Sequence, residues 1–297
     1  MKFQSSHANH WAEQVNQGIE QSLNHYRKTS SQRFSKLIDA MEYSLSGGGK
    51  RFRPLLTLAS AECLGLRVEQ VLPAALAVEY IHTYSLIHDD LPALDDDDTR
   101  RGKPSSHKQF GEAVAILAGD ALLTEAFGQL ARLQDAPDFT EAHVVSALEL
   151  LVSAAGVRGL VGGQFIDITL EQPQFNLPEV EFIHIHKTGA LIVASVLLPA
   201  RLLGLAEKKT ALLRRYGSAL GLAFQISDDI LDADSNGRYS RGPRKKARPA
   251  YSELMNRAEM QDLLNQLVDT ALHSVEAWGD KSQALRDIAE FIRNRKQ

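Results

Sequence analysis

The stretch VLPAALAVEYIHTYSLIHDDLPALDDDD, residues 71–98, is an apolar helical pattern that ends in a run of aspartates. The positions at steps of three and four, which share one helix face, are Val71, Ala75, Val78, His82, Ser85 and Asp89. Pro92 interrupts the helix, which allows a bulge that brings Asp89 and Asp95 to one ion despite their separation. The stretch therefore predicts a packed helix that points a carboxylate into the protein at its C-terminal end.

Helical periodicity covers most of the remaining chain. The predicted segments are 9–27, 34–45, 54–65, 112–134, 139–155, 157–170, 179–198, 207–232, 251–275 and 280–295. Glycines and prolines fall between them, at 47–49, 102 with 104, 137, 173 with 178, and 242–243. Alternating strand patterns bounded by turns are absent, so the sequence predicts one all-α domain over residues 1–297.

Composition excludes several classes of protein. The 297 residues are 44% hydrophobic and 24% charged, as in soluble globular proteins, and the net charge of −4 argues against a general nucleic-acid binder. The single cysteine, Cys63, excludes an intrachain disulfide and fits a reducing cytosol. The longest apolar stretch, 190–200, is about half of the roughly 20 residues that a membrane span needs. We expect a cytoplasmic protein without a membrane span.

A second acidic cluster lies about 130 residues after the first. Its residues, at helical spacing, are Gln225, Asp228, Asp229 and Asp232. Two carboxylate clusters at helix ends predict a shared cavity for hard divalent cations, and Arg100 and Arg101 beside the first cluster indicate an anionic ligand. Magnesium bridging a diphosphate to the protein is the simplest chemistry for these groups.

A third charged segment, GGKRFRP at 48–54, places cations between a glycine turn and a helix start, where backbone N–H groups favour anions. Each of these features also has an ordinary alternative. An aspartate run or a basic turn is commonly a solvated surface, adjacent Asp and Arg residues form surface ion pairs, and His82 on an apolar face is commonly a core histidine.

Taken together, the motifs resemble those of the trans-isoprenyl diphosphate synthases, most closely the bacterial short-chain enzymes that make farnesyl diphosphate. The matching elements occur in the family's order over about 180 residues: GGKRFRP (48–54), HTYSLIHDDLPALDDDDTRRGKPSSH (82–107), GEAVAILAGDALL (111–123), GGQFID (162–167), HKTGALI (186–192) and FQISDDILD (224–232). The resemblance implies an isoprenoid synthase-type helical bundle around a deep cavity, usually in a homodimer.

The resemblance also implies the substrates, the metal and their ligands. Three Mg²⁺ ions would hold an allylic diphosphate, dimethylallyl or geranyl, with Asp89 and Asp95 binding two ions and Asp228 the third. The residues expected to support the metals are Asp90, Asp229 and Asp232. Isopentenyl diphosphate would bind at Lys50, Arg53, His82 and Arg101. The allylic diphosphate would contact Arg100 and Lys187, and the developing cation would lie near the oxygen dipoles of Thr188 and Gln225.

The resemblance further implies which residues limit the product's length. The two positions five and four residues before the first aspartate, Tyr84 and Ser85, are expected to form the cavity floor, and a tyrosine there predicts farnesyl diphosphate. Ser85 shares the stripe of Asp89, whereas Tyr84 is rotated away from it, so helical geometry alone does not place the ring in the cavity. Geranylgeranyl and geranyl diphosphate remain alternative products.

The segment after the second acidic motif, 233–250, departs from the family. It lacks the usual glycine–lysine loop and the following lysine, and is instead very basic. The segment closes over diphosphate with substitute cations, Lys245 or Lys246 being the nearest candidates, or it is a solvated loop. The departure leaves open a weakly active or non-catalytic partner subunit that binds isoprenoid diphosphates. A terpene cyclase is a further alternative, disfavoured by the basic cluster at 50–53.

Overall fold

A computed structural model describes residues 6–170, 176–234 and 250–295. In these ranges the chain forms thirteen α-helices and one short hairpin. The elements are α1 Ser6–Thr29, α2 Ser35–Ser46, α3 Phe52–Cys63, α4 Val68–Asp89, β1 Thr99–Arg100, β2 Lys103–Pro104, α5 Ser106–Phe110, α6 Glu112–Ala131, α7 Glu141–Ala155, α8 Leu160–Thr169, α9 Leu177–Ile183, α10 Ala190–Leu202, α11 Glu207–Asp234, α12 Arg257–Ser274 and α13 Gln283–Asn294. The all-α prediction is confirmed.

Helix α4 lies at the centre of the bundle. It contacts α1, α2, α3, α6 and α10, and its buried positions occupy every side of the helix rather than one stripe. Alanines at 74, 75 and 77 are fully buried and allow neighbouring helices to approach closely. A helix that is apolar all round belongs in a core, so α4 holds Asp89 at a well-packed end.

Helix α11 carries the second acidic motif and packs tightly on the preceding segment. A Cβ atom at Gly217 would lie 3.1 Å from the Cα of Val193, and one at Gly221 would lie 3.1 Å from the Cα of Gly189. Larger side chains at these glycines would push α11 away from α10. The close approach positions the C-terminal part of α11, which carries Gln225 and Asp228.

The single helix predicted over 179–198 is wrong. The chain forms α9, then a π-helical turn over His184–Gly189, and then α10. A π-helical turn holds more residues per turn than an α-helix, but over six residues the difference is too small for apolar periodicity alone to reveal it. Such turns are frequent at functional sites, and this one contains Lys187 and Thr188.

The prediction of no strands is wrong at one place, the two-residue antiparallel hairpin of β1 and β2. Its turn residues, Arg101 and Gly102, have positive φ angles of 52° and 77°. These angles suit the two-residue loops that match the twist of paired strands. Strands of two residues are too short for an alternating pattern, which explains the omission.

Three apolar segments are long and apolar enough to cross a membrane by length and composition alone: Glu112–Asp135, Glu141–Thr169 and Leu177–Leu202. The sequence-based criterion of an uninterrupted apolar stretch does not detect them. In the fold, these segments contribute residues such as Leu122, Leu151 and Leu197 to the buried apolar cluster, which extends from α1 to α13.

Candidate active site

A cavity of about 450 Å³ opens between α3, α4, α8, the π-helical turn and α11. It brings together most of the residues that the sequence singles out. Those that line it are Arg53, His82, Ser85, Asp89, Arg100, Arg101, Lys187, Thr188, Gln225, Asp228, Asp229 and Asp232. Both acidic motifs and the basic motifs therefore face one space, although more than 100 residues separate the two acidic motifs in the chain.

The first acidic motif folds back on itself where α4 ends. The backbone N–H of Asp95 donates to the carbonyl oxygen of Asp89 at 2.8 Å, and that of Asp96 donates to the carbonyl of Leu91 at 3.1 Å. This turn, which contains Pro92, brings the backbones of Asp89 and Asp95 together despite six residues of separation. Asp89 lines the cavity, and Asp95 is not among the described lining residues.

Asp90 has a different environment from the one expected of a supporting metal ligand. It is buried, and Nε of Arg100 donates to its two carboxylate oxygens at 2.9 and 3.2 Å, with Nη2 forming a further contact. Arg100 also bonds Asp97 at 3.0 Å. The carboxylate of Asp90 thus faces and orients Arg100, and its supporting role at the metals stays a prediction.

The second acidic motif is tied to two distant parts of the chain. Asp229 accepts a hydrogen bond from the backbone N–H of Tyr251 at 2.7 Å. Asp228 forms an ion pair with Arg295, whose side chain is 1% exposed and lies 4.7 Å from the ring centroid of Phe224. Sequence reasoning quoted Phe224 within FQISDDILD without assigning it a role and missed Arg295, which no motif surrounds.

The basic side of the cavity is built from α3, α4 and the hairpin. Burial lowers the pKa of Arg53 to about 10, with a further decrease from Arg101 that Glu79 opposes. Burial also lowers the pKa of His82 well below its usual value, and the charges of Arg53 and Arg101 lower it further. His82 is therefore neutral beside two cations, and Nε of Arg53 has no hydrogen-bond acceptor among the described residues.

Lys50, predicted in the same set, does not line the cavity in the described part of the chain. Partial burial lowers its pKa, and the charge of Arg295 lowers it further, so the two cations lie near each other. Lys50 immediately precedes Arg51 and α3. The glycine turn therefore places it beside the cavity rather than within its wall.

The π-helical turn positions Lys187 and Thr188. Nζ of Lys187 donates to Asp167 at 2.6 Å, and the Asp167 carboxylate is 6% exposed. Asp167 and Gln164 also line the cavity. Sequence reasoning quoted both residues within the GGQFID motif but assigned them no role, and that motif was the signal available for finding them.

Of the two residues expected to form the floor, only Ser85 lines the cavity. Tyr84 is 4% exposed and packs edge-on against His88, with 5.7 Å between ring centroids. Its hydroxyl makes no hydrogen bond within the described residues, and burial raises its pKa to about 12. The ring is therefore buried in the core and does not line the cavity that Ser85 faces.

The donor set fits magnesium. Asp89, Asp228 and Asp232 present carboxylate oxygens to one cavity, and hard oxygen donors are the ligands that Mg²⁺ prefers. A separate group, Asp96, Asp98 and His107, holds possible ligand atoms within 4.8 Å of one another, with Asp98 also paired to Lys108 at 2.8 Å. The basic candidates Lys245 and Lys246 lie outside the described residues.

Known proteins match this chain in sequence and in fold. The chain is 48% identical over 206 residues to the Arabidopsis thaliana heterodimeric geranylgeranyl pyrophosphate synthase large subunit 1, covering 68% of this chain and 56% of that one. It is 42% identical to the Geobacillus stearothermophilus farnesyl diphosphate synthase, covering 87% and 88%. A geranyltransferase structure from Legionella pneumophila superposes with a TM-score of 0.86 at 32% identity, covering 97% and 96%.

The pattern that defines the polyprenyl synthetase family matches residues 34–242, which include both acidic motifs and the lysine of the π-helical turn. The same residues face one cavity in an all-α bundle. Members of this family are typically magnesium-dependent. The chain therefore belongs to the polyprenyl synthetase family and is a trans-prenyltransferase.

Proposed function

We propose that the protein catalyses the magnesium-dependent head-to-tail (1′-4) condensation of isopentenyl diphosphate with dimethylallyl or geranyl diphosphate, and that (2E,6E)-farnesyl diphosphate is the main product. One observation carries the proposal. A single cavity is lined by carboxylates from α4 and α11 and by Arg53, Arg101 and neutral His82. The carboxylates suit a metal-bound diphosphate, and the cations suit a second diphosphate without metal.

Magnesium, when bound, neutralises the leaving diphosphate so that the allylic C–O bond breaks. Asp89, Asp95 and Asp228 would hold the ions, and Lys187 would contact the allylic diphosphate after releasing Asp167. Arg53, His82 and Arg101 would orient isopentenyl diphosphate so that its double bond attacks the allylic cation. A C–C bond forms, and the proton that is then lost passes to the departing diphosphate.

The remaining wall suits a carbocation. Thr188 and Gln225 present neutral oxygen dipoles, which stabilise positive charge without trapping it covalently as a strong nucleophile would. Leu160, Ile183 and Phe224 supply apolar surface beside them. An apolar wall that excludes water protects the cation from hydrolysis.

Product length is the finer part of the proposal. The relatives include both farnesyl and geranylgeranyl synthases. Tyr84 precedes Ser85 on α4, and its buried ring packs against His88; we propose that this ring stops a growing chain that passes Ser85. We expect Tyr84→Ala to shift the main product from fifteen to twenty or more carbons.

That shift is measured by gas chromatography of the dephosphorylated products. The matched control is Tyr216→Phe, because Tyr216 is also a buried tyrosine but bonds Leu285 in the α11–α13 contact. Tyr84→Ala with the chain-length distribution of the wild type would show that another residue limits the product.

Purified protein incubated with Mg²⁺, isopentenyl diphosphate and either dimethylallyl or geranyl diphosphate tests the reaction itself. Farnesyl diphosphate from both allylic substrates, and none with EDTA, is the expected result. Geranylgeranyl diphosphate as the main product would contradict the chain length. Substrate binding without turnover would instead identify a non-catalytic partner subunit, and cyclised hydrocarbon without elongation would identify a cyclase.

A further inference from the structure

In the sequence, Arg51 lies between Lys50 and Arg53, two of the cations assigned to isopentenyl diphosphate, but its own side chain does not line the cavity. The side chain is 6% exposed, and its guanidinium bonds three helices. Nη1 donates to Glu79 at 2.6 Å, Nη2 to the carbonyl of Leu45 at 2.6 Å, and Nε to Asn16 at 2.9 Å. One buried group thus connects α1, α2 and α4 to the start of α3.

The backbone that this side chain holds is in a rare conformation. Arg51 has φ 48° and ψ 31°, the left-handed region, and Gly48 and Gly49 have φ angles of 85° and 137°. A non-glycine residue remains in that region only when its surroundings over-determine it. The three hydrogen bonds of Arg51, two of them buried, supply that constraint, so they fix the direction in which the turn leads to Lys50 and Arg53.

Arg101 depends on the same turn. Its guanidinium donates to the carbonyl oxygen of Gly48, and a Cβ atom at Gly49 would lie 2.7 Å from its Cζ. Glu79, the carboxylate partner of Arg51, is 2% exposed. Burial lowers the pKa of Arg53 and of Arg101, and the charge of Glu79 opposes the decrease in both. The glycine turn and the buried carboxylate of Glu79 therefore support Arg51, Arg53 and Arg101.

We propose that Arg51 and Glu79 are positioning residues, which hold the turn at Lys50 and keep Arg53 and Arg101 converged on isopentenyl diphosphate without touching it. This inference rests on the proposed function of the cavity. Breaking the hydrogen bonds of Arg51 lets the glycine turn relax, and the cations that bind isopentenyl diphosphate then move apart. The affinity for isopentenyl diphosphate falls, whereas the affinity for the allylic diphosphate, held by the acidic motifs, is preserved.

Two substitutions weaken the hydrogen bonds of Arg51 without changing a residue that lines the cavity. Asn16→Ala removes only the bond to Nε; Asn16 is exposed on α1, and alanine is a better helix former, so stability is kept. Arg51→Lys keeps the charge, but an ammonium lacks the planar fork that reaches three separate acceptors. Tyr216→Phe is the control, since it loses a buried 2.7 Å hydrogen bond to Leu285 in the α11–α13 contact.

Steady-state kinetics and thermal unfolding are measured for each variant. We expect the KM for isopentenyl diphosphate to rise about threefold in Asn16→Ala and at least about tenfold in Arg51→Lys, tenfold being ~1.4 kcal/mol of binding. The KM for geranyl diphosphate should stay within about twofold. Tyr216→Phe should lower the unfolding temperature and change neither KM.

Calorimetric titration of isopentenyl diphosphate into protein that holds Mg²⁺ and a thiolo analogue of geranyl diphosphate checks that these changes are in binding. Two results would overturn this inference and leave the proposed function intact. One is an equal rise in the KM values for isopentenyl and geranyl diphosphate; the other is a KM and a Kd for isopentenyl diphosphate within twofold of wild type in both variants. Wild-type protein that binds neither substrate would remove the proposed function and this inference with it.

Discussion

Arg53 and Asp228 line the same cavity but carry opposite charges, so their removal should change different kinetic constants. Under the proposed function, Arg53→Ala removes a ground-state contact with isopentenyl diphosphate, and we expect its KM to rise by one to two orders of magnitude, since a hydrogen bond to a charged group contributes about 1.5–3 kcal/mol. Asp228→Ala removes a proposed metal ligand that acts on the leaving group, and we expect kcat to fall instead.

Steady-state kinetics in which each substrate is varied in turn separates the two effects. Asp269→Ala is the matched control for Asp228→Ala, because Asp269 also pairs with an arginine but is 68% exposed outside the cavity. An unchanged KM for isopentenyl diphosphate in Arg53→Ala would refute the assignment of Arg53.

His184, buried between Lys187, Asp167 and Tyr251, makes stability depend on pH. Burial lowers its pKa from 6.5 to about 4, with Asp167 opposing and Lys187 adding to the decrease. Above pH 6.5 the group is neutral in folded and unfolded chains alike and contributes nothing. As the pH falls from 6.5 towards 4, the unfolded chain binds a proton that the folded chain does not, so the free energy of unfolding decreases.

The expected decrease from His184 between pH 6.5 and 5 is about 2 kcal/mol. Urea unfolding of wild type and His184→Gln at both pH values measures it, since glutamine does not titrate. The variant should show the smaller decrease. Other groups, including His82, contribute equally to both proteins and cancel in the comparison. Equal decreases in the two proteins would show that His184 protonates freely in the fold.

At the scale of elements, the crossing of α8 over the π-helical turn depends on one glycine. A Cβ atom at Gly163 would lie 2.6 Å from the Cα of Lys187 and 2.8 Å from the carbonyl carbon of His186. Backbone atoms cannot move aside as a flexible side chain does. The site of Lys187 and Thr188 thus requires that α8 has no side chain at this position.

We therefore expect Gly163→Ala to destabilise the protein by about 1–3 kcal/mol, as overpacking does, and to lower kcat because Lys187 is displaced. Gly128→Ala is the control: its Cβ would meet only Glu125 Oε2, at 3.4 Å, inside α6. There alanine should stabilise the helix by up to about 1 kcal/mol. Chemical denaturation and kcat are the measurements, and equal effects of the two substitutions would contradict the close crossing.

At the scale of the whole molecule, three consecutive helices expose large apolar side chains. They are Ile116 and Leu117 of α6, Val145 and Val152 of α7, and Val161, Phe165 and Ile168 of α8, each more than 40% exposed. Helix α7 contacts both α6 and α8. Large exposed apolar surfaces commonly mark protein interfaces, which agrees with the homodimer that the sequence resemblance implies.

We expect light scattering to give twice the 32.8 kDa mass of one chain, with two copies paired through this surface. Val152→Glu should shift the protein towards the monomer because it places a charge in the interface. Phe34→Glu is the control, since Phe34 is 55% exposed in the turn before α2. A monomeric wild type, or a dimer insensitive to Val152→Glu, would refute the pairing.

Periodicity along the chain was enough to predict the helical fold and most of the residues that line the cavity. Apolar steps of three and four are a local property, and they place Ser85 and Asp89 on one face of α4 without reference to any other helix. The same holds for Gln225 and Asp228 on α11. Pro92 likewise predicted the fold-back that joins Asp89 and Asp95, because proline lacks the backbone N–H that continues a helix, although α4 and α10 each accommodate one proline.

The partners that these residues meet depend instead on how the helices pack. Asp90 and Asp89 are adjacent aspartates, yet Asp90 faces Arg100 and Asp89 faces the cavity. Arg295, which follows α13, reaches Asp228 on α11, and Arg51 reaches Asn16 on α1 and Glu79 on α4. Periodicity specifies the face of a helix but not the neighbour on that face, because the neighbour depends on how all the helices pack.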